Sequence, residues 1–273
     1  MSAATALALE TLAFEPVSLD ELVSEAELMR RIDRKYLLPA GAAAEALAGL
    51  DPRTRALEID GRRDFAYDSV YFDTDDHLAY RLTAQKRRRR FKLRTRSYLD
   101  TGGCFLEVKT KSGRGATVKR RIAYEAGDRA RLTSRGREYV REQLCAEGHH
   151  PALVTRLRPS LVSRYRRITL LLPEGSRATV DTRLNWAAAG RGGEHGSNGY
   201  APAPSGIELD GWAILETKSA GGASELDRLL WRRGHRPLGI SKFGTGTAAL
   251  HPELPGNKWA RTLRSPFSTR HCK

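Results

Sequence analysis

Cysteine is nearly absent: Cys104, Cys145 and Cys272 are the three in 273 residues. Far apart and odd in number, they cannot build a disulfide framework, and no Cys/His spacing matches a zinc site. A reducing, cytoplasmic setting is expected. Aromatic residues are also scarce, at 7%, and they do not interleave with the basic residues as a nucleic-acid stacking surface requires. No apolar run approaches the roughly 18 residues of a membrane helix. The Ala-rich start, Met1 to Leu12, carries Glu10 and lacks the basic stretch of a signal peptide. Acid is the last deficit: Asp+Glu 32 against Lys+Arg 47 leaves a net charge of +15. What is present in quantity is apolar, 40% of the chain, enough for one sizeable globular domain or at most two small ones.

The positive charge is local. Between Arg81 and Arg121 stand 15 Lys/Arg and two acids, Asp100 and Glu107, a net +13; the remainder carries +2. A basic tail would be poor in β-formers, whereas this stretch alternates. Lys92, Arg94, Arg96 and Tyr98 share one face of a strand, and Phe91, Leu93, Thr95 and Ser97 the other. After Thr101-Gly102-Gly103, Leu106 and Val108 alternate with Phe105, Glu107, Lys109 and Lys111. After Ser112-Gly113-Arg114-Gly115, Lys119 and Arg121 stand against Val118, Arg120 and Ile122. Glycine-containing turns between alternating runs predict antiparallel hairpins. The pattern returns in Tyr165 and Arg167, in Arg177, Thr179 and Asp181, and in Glu216 and Lys218. A solvated sheet face is the ordinary meaning of such alternation, but it mixes signs, because like charges opposite one another destabilise a sheet. A face of one sign fits a polyanionic ligand better.

Helices are expected from Ser18-Leu19-Asp20-Glu21, a capping-box start followed by an apolar stripe of Leu19, Leu22, Val23, Ala26 and Met29. Others are expected from Ala40 to Leu50, from a cap at Thr74 or Asp75 through Leu82, from Thr133 to Glu147, and from Ser224 through Arg233. These stripes need only core packing. Residues 1–17 and 251–273 read as flexible ends of a single domain over 18–250, and 187–206 as a mobile loop. The class is α+β with a largely antiparallel sheet. If that sheet closes, helices outside leave the charged faces inside.

The segments Arg31-Ile32-Asp33-Arg34-Lys35-Tyr36-Leu37, Val70-Tyr71-Phe72-Asp73-Thr74, Arg94-Thr95-Arg96-Ser97-Tyr98, Leu106-Glu107-Val108-Lys109, Val118-Lys119-Arg120-Arg121, Tyr165-Arg166-Arg167, Arg177-Ala178-Thr179-Val180-Asp181, Ile214-Leu215-Glu216-Thr217-Lys218 and Ser241-Lys242-Phe243, in this order, resemble the VTC (vacuolar transporter chaperone) polyphosphate polymerase domain. That domain belongs to the CYTH-like triphosphate tunnel metalloenzyme superfamily. The resemblance implies a closed or nearly closed antiparallel barrel of about eight strands, with a divalent metal, Mn²⁺ or Mg²⁺, beside a phosphate chain. It implies transfer of the terminal phosphate of ATP onto inorganic polyphosphate. The cations it assigns are Lys35, Arg94, Arg96, Lys109, Lys119, Arg167, Arg177 and Lys242, with Arg121 and Lys218 also on the phosphate chain. The metal ligand is Glu216. Glu107 and Asp181 are expected chiefly as ion-pair partners.

The hydrolytic branch of that superfamily starts with Glu-x-Glu-x-Lys, where this chain has Arg31-x-Asp33-x-Lys35. Arginine in place of a carboxylate favours the polymerase, and Asp33 keeps a metal-dependent triphosphatase as the runner-up. A non-catalytic polyanion- or nucleic-acid-binding module is the reading from another class; specific nucleic-acid recognition is not expected. Whether a membrane protein receives the product stays open. Lys86 to Arg90 is either a polyanion contact or a solvated strand start, and His77, His149 and His150 read as surface histidines. Gly244-Thr245-Gly246 lacks the Lys-Ser/Thr of a P-loop.

Overall fold

The structure is a computed structural model that describes residues 11–25, 31–111, 117–190, 206–264 and 266–267. It is α+β, with a large, predominantly antiparallel sheet. The strands are β1 (Glu15–Val17), β2 (Ile32–Pro39), β3 (Arg55–Leu57), β4 (Asp64–Asp73), β5 (Arg90–Tyr98), β6 (Cys104–Lys111), β7 (Thr117–Ala123), β8 (Arg158–Leu171), β9 (Arg177–Ala188), β10 (Ile207–Leu209) and β11 (Trp212–Ser219). The helices are α1 (Leu19–Glu25), α2 (Ala40–Ala48), α3 (Leu78–Ala84), α4 (Ser134–Ala146), α5 (Glu225–Arg232), α6 (Lys242–Leu250) and α7 (Ala260–Leu263). None of the described helices is long and apolar enough to cross a membrane.

The main strand order is β2-β11-β9-β8-β4-β5-β6-β7; β2–β11, β11–β9, β3–β8, β4–β5, β5–β6 and β6–β7 pair antiparallel and β1–β3 parallel. Among the described residues no ladder joins β2 to β7, so the sheet is not closed and the expected barrel is corrected to an open ladder. Both ends resist further pairing. β7 exposes Lys119, Arg120 and Arg121, and charged edges discourage strand addition. On β2 the carbonyl of Lys35 accepts from the Leu238 N–H at 2.7 Å.

The chain divides into two compact units. The first comprises residues 1–66, 165–184 and 209–240. Its core joins Tyr36 and Leu38 of β2, Ala43 and Leu47 of α2, Leu170 of β8, Val180 of β9, Leu215 of β11, and Leu226 and Leu230 of α5. Ser224 and Asp227 close a capping box on α5. Asp227, fully buried, also accepts from Tyr36 Oη at 2.6 Å, Thr217 Oγ1 at 2.7 Å and Arg34 Nη1 at 3.1 Å. One carboxylate thereby ties β2, β11 and α5 together.

The capping box of α1 forms as expected between Ser18 and Glu21. Its apolar stripe does not pack: Leu22 is buried, but Leu19 and Val23 are exposed, and Ala26 and Met29 lie outside the described residues. Phe14 and Val17 are buried, and β1 pairs with β3, so residues 11–17 have structure despite their loose appearance in sequence.

The second unit comprises residues 67–164, 185–208 and 241–273. In β5 the buried residues are Phe91, Leu93, Thr95 and Ser97, and the half-buried ones Arg90, Lys92, Arg94, Arg96 and Tyr98, the alternation read from the sequence. Helix α3 starts at Leu78 and is capped by Asp73, which accepts from the N–H groups of Ala79 and Tyr80, and by Thr74, which accepts from Leu78. It ends with Lys86 at φ 55°: the Lys86 N–H donates to Thr83 O and the Arg87 N–H to Leu82 O, a Schellman closure with lysine where glycine is usual. The left-handed conformation costs a non-glycine residue about 1–2 kcal/mol.

The mobile loop expected over 187–206 falls largely on residues 191–205, outside the described residues; Ala187 and Ala188 complete β9. From His251 onward the chain is structured through Leu263. Trp259 is buried against Tyr80, with ring centroids 5.5 Å apart. Gly244 and Gly246 of α6 lie under Trp259 and Trp186, so closely that an added Cβ would overlap either indole. These glycines serve packing. Gly246→Ala should destabilise the fold by about 1–3 kcal/mol through overpacking, lowering the melting temperature by several degrees; calorimetry showing no change would refute the assignment.

Candidate functional site

The first unit carries a cluster centred on Glu216. The β2–β11–β9 register aligns Lys35, Glu216 and Thr179 in one row and Asp33, Lys218 and Arg177 in the next. Side chains two residues apart share a face, so the rows mesh. Glu216 Oε2 holds Lys35 Nζ at 3.2 Å, and Oε1 is hydrogen-bonded to Lys218. Lys218 also reaches Asp33 at 3.8 Å, and Asp33 holds Arg31 at 3.1 Å. On β8, Arg167 grips Asp181 with two nitrogens, at 2.6 and 2.8 Å, the bidentate geometry that an arginine also offers to phosphate.

Burial alone would raise the carboxyl of Glu216, but Lys35, Lys218 and Arg167 outweigh it and hold it well below the usual range. Burial lowers Lys218, with Glu216 opposing. Burial and the like charges of Arg31 and Arg167 lower Arg177. The result is an ionised carboxylate among more cations than it can neutralise.

The second unit repeats the device around Glu107, which is 2% exposed. Register places Lys92, Lys109 and Lys119 in one row and Arg94, Glu107 and Arg121 in the next. Glu107 Oε2 holds Arg94 at 2.6 Å and Oε1 holds Lys119 at 2.7 Å. Burial would raise its carboxyl, yet Arg94, Arg96 and Lys119 keep it far below the ordinary value. Arg96 lies over the Tyr67 ring at 5.7 Å and Arg121 over Phe105 at 4.5 Å. Lys92 donates to Ser241 Oγ at 3.1 Å, the N-cap of α6, whose first residue is Lys242.

Among the residues named from the sequence, Lys35, Arg167, Arg177, Glu216 and Lys218 therefore gather in the first unit, and Arg94, Arg96, Lys109, Lys119 and Arg121 line adjacent strands in the second. Lys242 opens α6 beside the Lys92 partner. Glu107 and Asp181 are buried ion-pair partners. Two supports escaped the sequence reading. Tyr71 accepts from Arg94 Nη1 at 3.2 Å, and the buried Thr179 hydroxyl, opposite Glu216, has no hydrogen-bond partner among the described residues. Tyr67 and Tyr71 lie at even spacing on β4, a weak signal beside the charge. His77 and His149 are half-buried rather than surface groups, packed on His251 and Phe91 with centroids 4.8 and 5.1 Å apart.

The VTC domain family matches residues 30–251. The chain belongs to the VTC domain family. No curated protein sequence matches it. Solved structures similar to it include a putative adenylyl cyclase from Hippeastrum, described as having a dominant triphosphatase activity. It is 17% identical over 80% of this chain and 95% of that one, with a TM-score of 0.46. A putative adenylate cyclase from Vibrio parahaemolyticus is 12% identical over 76% and 88%, with a TM-score of 0.38. A protein from Pyrococcus horikoshii OT3 is 8% identical over 79% and 97%, with a TM-score of 0.42. With these scores below 0.5, the family assignment rests on the sequence match.

The depressed carboxyls set an acid limit on the VTC domain. A group whose folded value lies below its unfolded one stabilises the fold above the unfolded value and loses that stabilisation as pH falls. For Glu107 the loss begins near its ordinary value of 4.5. Glu107→Gln should reduce stability at neutral pH by about 3 kcal/mol, since it strips a buried partner from Arg94 and Lys119, and should flatten the decline in melting temperature between about pH 5 and 3. A parallel, equally steep decline in the variant would show that Glu107 is not the titrating group.

Proposed function

We propose that this chain is a polyphosphate polymerase, transferring the terminal phosphate of ATP to a growing inorganic polyphosphate chain and releasing ADP. The observation that carries the reading is Glu216, ionised and half-buried between Lys35 and Lys218 with Arg167 and Arg177 alongside, in a VTC domain. Membership of that family supports an enzyme acting on polyphosphate or triphosphate; polymerisation is the more specific proposal.

Phosphoryl transfer spreads negative charge over the phosphoryl oxygens, so alignment and neutralisation carry most of the catalysis and no protein nucleophile is needed. The terminal oxygen of the acceptor chain forms a bond to the γ-phosphorus. The bond from that phosphorus to the β–γ bridging oxygen breaks, and ADP leaves with the electron pair. Lys35, Lys218, Arg167 and Arg177 in one unit, and Arg94, Arg96, Lys109, Lys119 and Arg121 in the other, are assigned to phosphate oxygens. Lys242 is assigned to the same task from the start of α6. Arginines in these sets supply two donors in a plane and lysines a compact charge.

Glu216 fits a hard divalent ion as a single carboxylate donor. Among the described residues no group of three His, Cys, Asp or Glu converges, so Mg²⁺ or Mn²⁺ would bind with phosphate oxygens and waters as its remaining ligands. Such an ion supplies charge neutralisation to the phosphates. Asp33, paired with Arg31 at 3.1 Å and within 3.8 Å of Lys218, keeps the triphosphatase as second reading.

Incubating the purified protein with ATP and Mn²⁺, and scoring long phosphate chains and free phosphate separately, tests the reading. Chains are expected; free phosphate without chains would transfer the assignment to the triphosphatase. Neither product, together with tight DNA binding, would leave the non-catalytic module. Glu216→Gln is expected to lower metal-dependent turnover about 10²-fold or more while the protein stays folded. Arg94→Ala should weaken substrate binding, and unchanged kinetics would remove Arg94 from the phosphate contacts.

A further inference from the structure

Four cations in the second unit gather away from any carboxylate. Arg90 begins β5 directly opposite Lys111 of β6, like charge against like. The Arg90 guanidinium is anchored on the backbone, donating to Arg87 O at 2.7 Å and Lys86 O at 3.4 Å. Lys258 donates to Thr83 O at 2.8 Å and lies over the Trp259 ring at 5.1 Å. Burial and the positive charges of Arg90, Lys86 and Lys111 lower the Lys258 ammonium. Among the described residues no ion pair joins Lys86, Arg90, Lys111 or Lys258 to an acid.

Two unfavourable choices coincide here. Lysine occupies the left-handed helix-closing position at Lys86, where glycine would sit without strain. Neighbouring strands set arginine against lysine, which destabilises a sheet. Strain and repulsion that converge on one surface, with Lys86 exposed and Arg90, Lys111 and Lys258 half-buried, point to a ligand that relieves them.

We propose that Lys86, Arg90, Lys111 and Lys258 form a binding surface for linear inorganic polyphosphate. The identity of the ligand rests on the polymerase reading, in which this polymer is the product. Arg90 lies four residues from Arg94 on the same face of β5, about 13 Å along the strand, so a chain held at Arg94 that continues past Lys92 arrives at this surface. The occupant is a bare phosphate polymer because no aromatic or large aliphatic side chain is exposed here among the described residues, which leaves nothing to stack on bases or insert into a bilayer. Such a surface retains the product between additions.

The test compares binding of long-chain polyphosphate and tripolyphosphate to the full chain and to two variants, with melting temperatures. In Lys86→Gln/Lys111→Gln, affinity for the long chain should fall about tenfold at low salt while tripolyphosphate affinity holds. Lys86→Gly should melt higher than the parent yet bind the long chain more weakly. A glycine variant that is more stable and binds the long chain as tightly as the parent overturns the proposal, as does an unchanged double variant. Tighter, equally variant-sensitive binding to duplex DNA or to phosphatidylserine vesicles overturns the choice of ligand. A parent protein that binds long chains through these lysines but synthesises none overturns the polymerase reading and upholds the surface.

Discussion

The fold depends on placing isolated carboxylates among cations that would otherwise repel one another. Lys92, Lys109 and Lys119 follow one another across β5, β6 and β7, a row that no ordinary sheet face tolerates. Glu107 in the next row accepts Lys119 from one side and Arg94 from the other, so one buried negative charge serves two strands. Glu216 does the same for Lys35 of β2 and Lys218 of β11. Each carboxylate neutralises less charge than surrounds it. The surplus persists because desolvation has been offset by the ion pairs.

Scarcity of aromatics and richness in cations also turn out to be linked. Tyr67, Tyr71, Phe105 and Tyr165 each lie beneath a guanidinium, of Arg96, Arg94, Arg121 and Arg167 respectively, at centroid distances of 4.5–5.8 Å. A flat ring under a flat cation limits its tilt while leaving the N–H edges to other acceptors. These four rings orient arginines, while others such as Trp186, Trp259 and Tyr80 fill the core. Beneath the first unit's cluster, Asp227 fixes Arg34 and Tyr36, which flank Lys35 in sequence and point to the opposite face of β2. The lysine is thereby held by its neighbours' burial.

Much of this was legible in the sequence because strand alternation has a period of two and needs no partner to be seen. Lys92, Arg94 and Arg96 declare a shared face by spacing alone, and Ser224 with Asp227, or Ser18 with Glu21, declare helix starts. What stayed hidden depends on distant residues. Leu19 and Val23 have the spacing of a buried stripe but find no surface to cover. The cap of α3 came from Asp73, a residue that reads as the end of a strand. Nothing local distinguishes Gly244 and Gly246 from a ligand-binding loop until Trp259 and Trp186 are seen lying on them. Closure of the sheet is likewise a property of two edges far apart in the chain, and charge on β7 opposes it.

Those two indoles give the C-terminal segment a further meaning. The family match stops at residue 251, whereas Trp259 covers Gly244 and stacks on Tyr80, whose hydroxyl donates to Pro255 O at 2.9 Å. The helix that begins with Lys242 is thus seated by residues beyond the end of that match. A fragment cut at residue 251 would lose both the indole that covers Gly244 and the carbonyl that holds the Tyr80 hydroxyl, and with them one wall of α6.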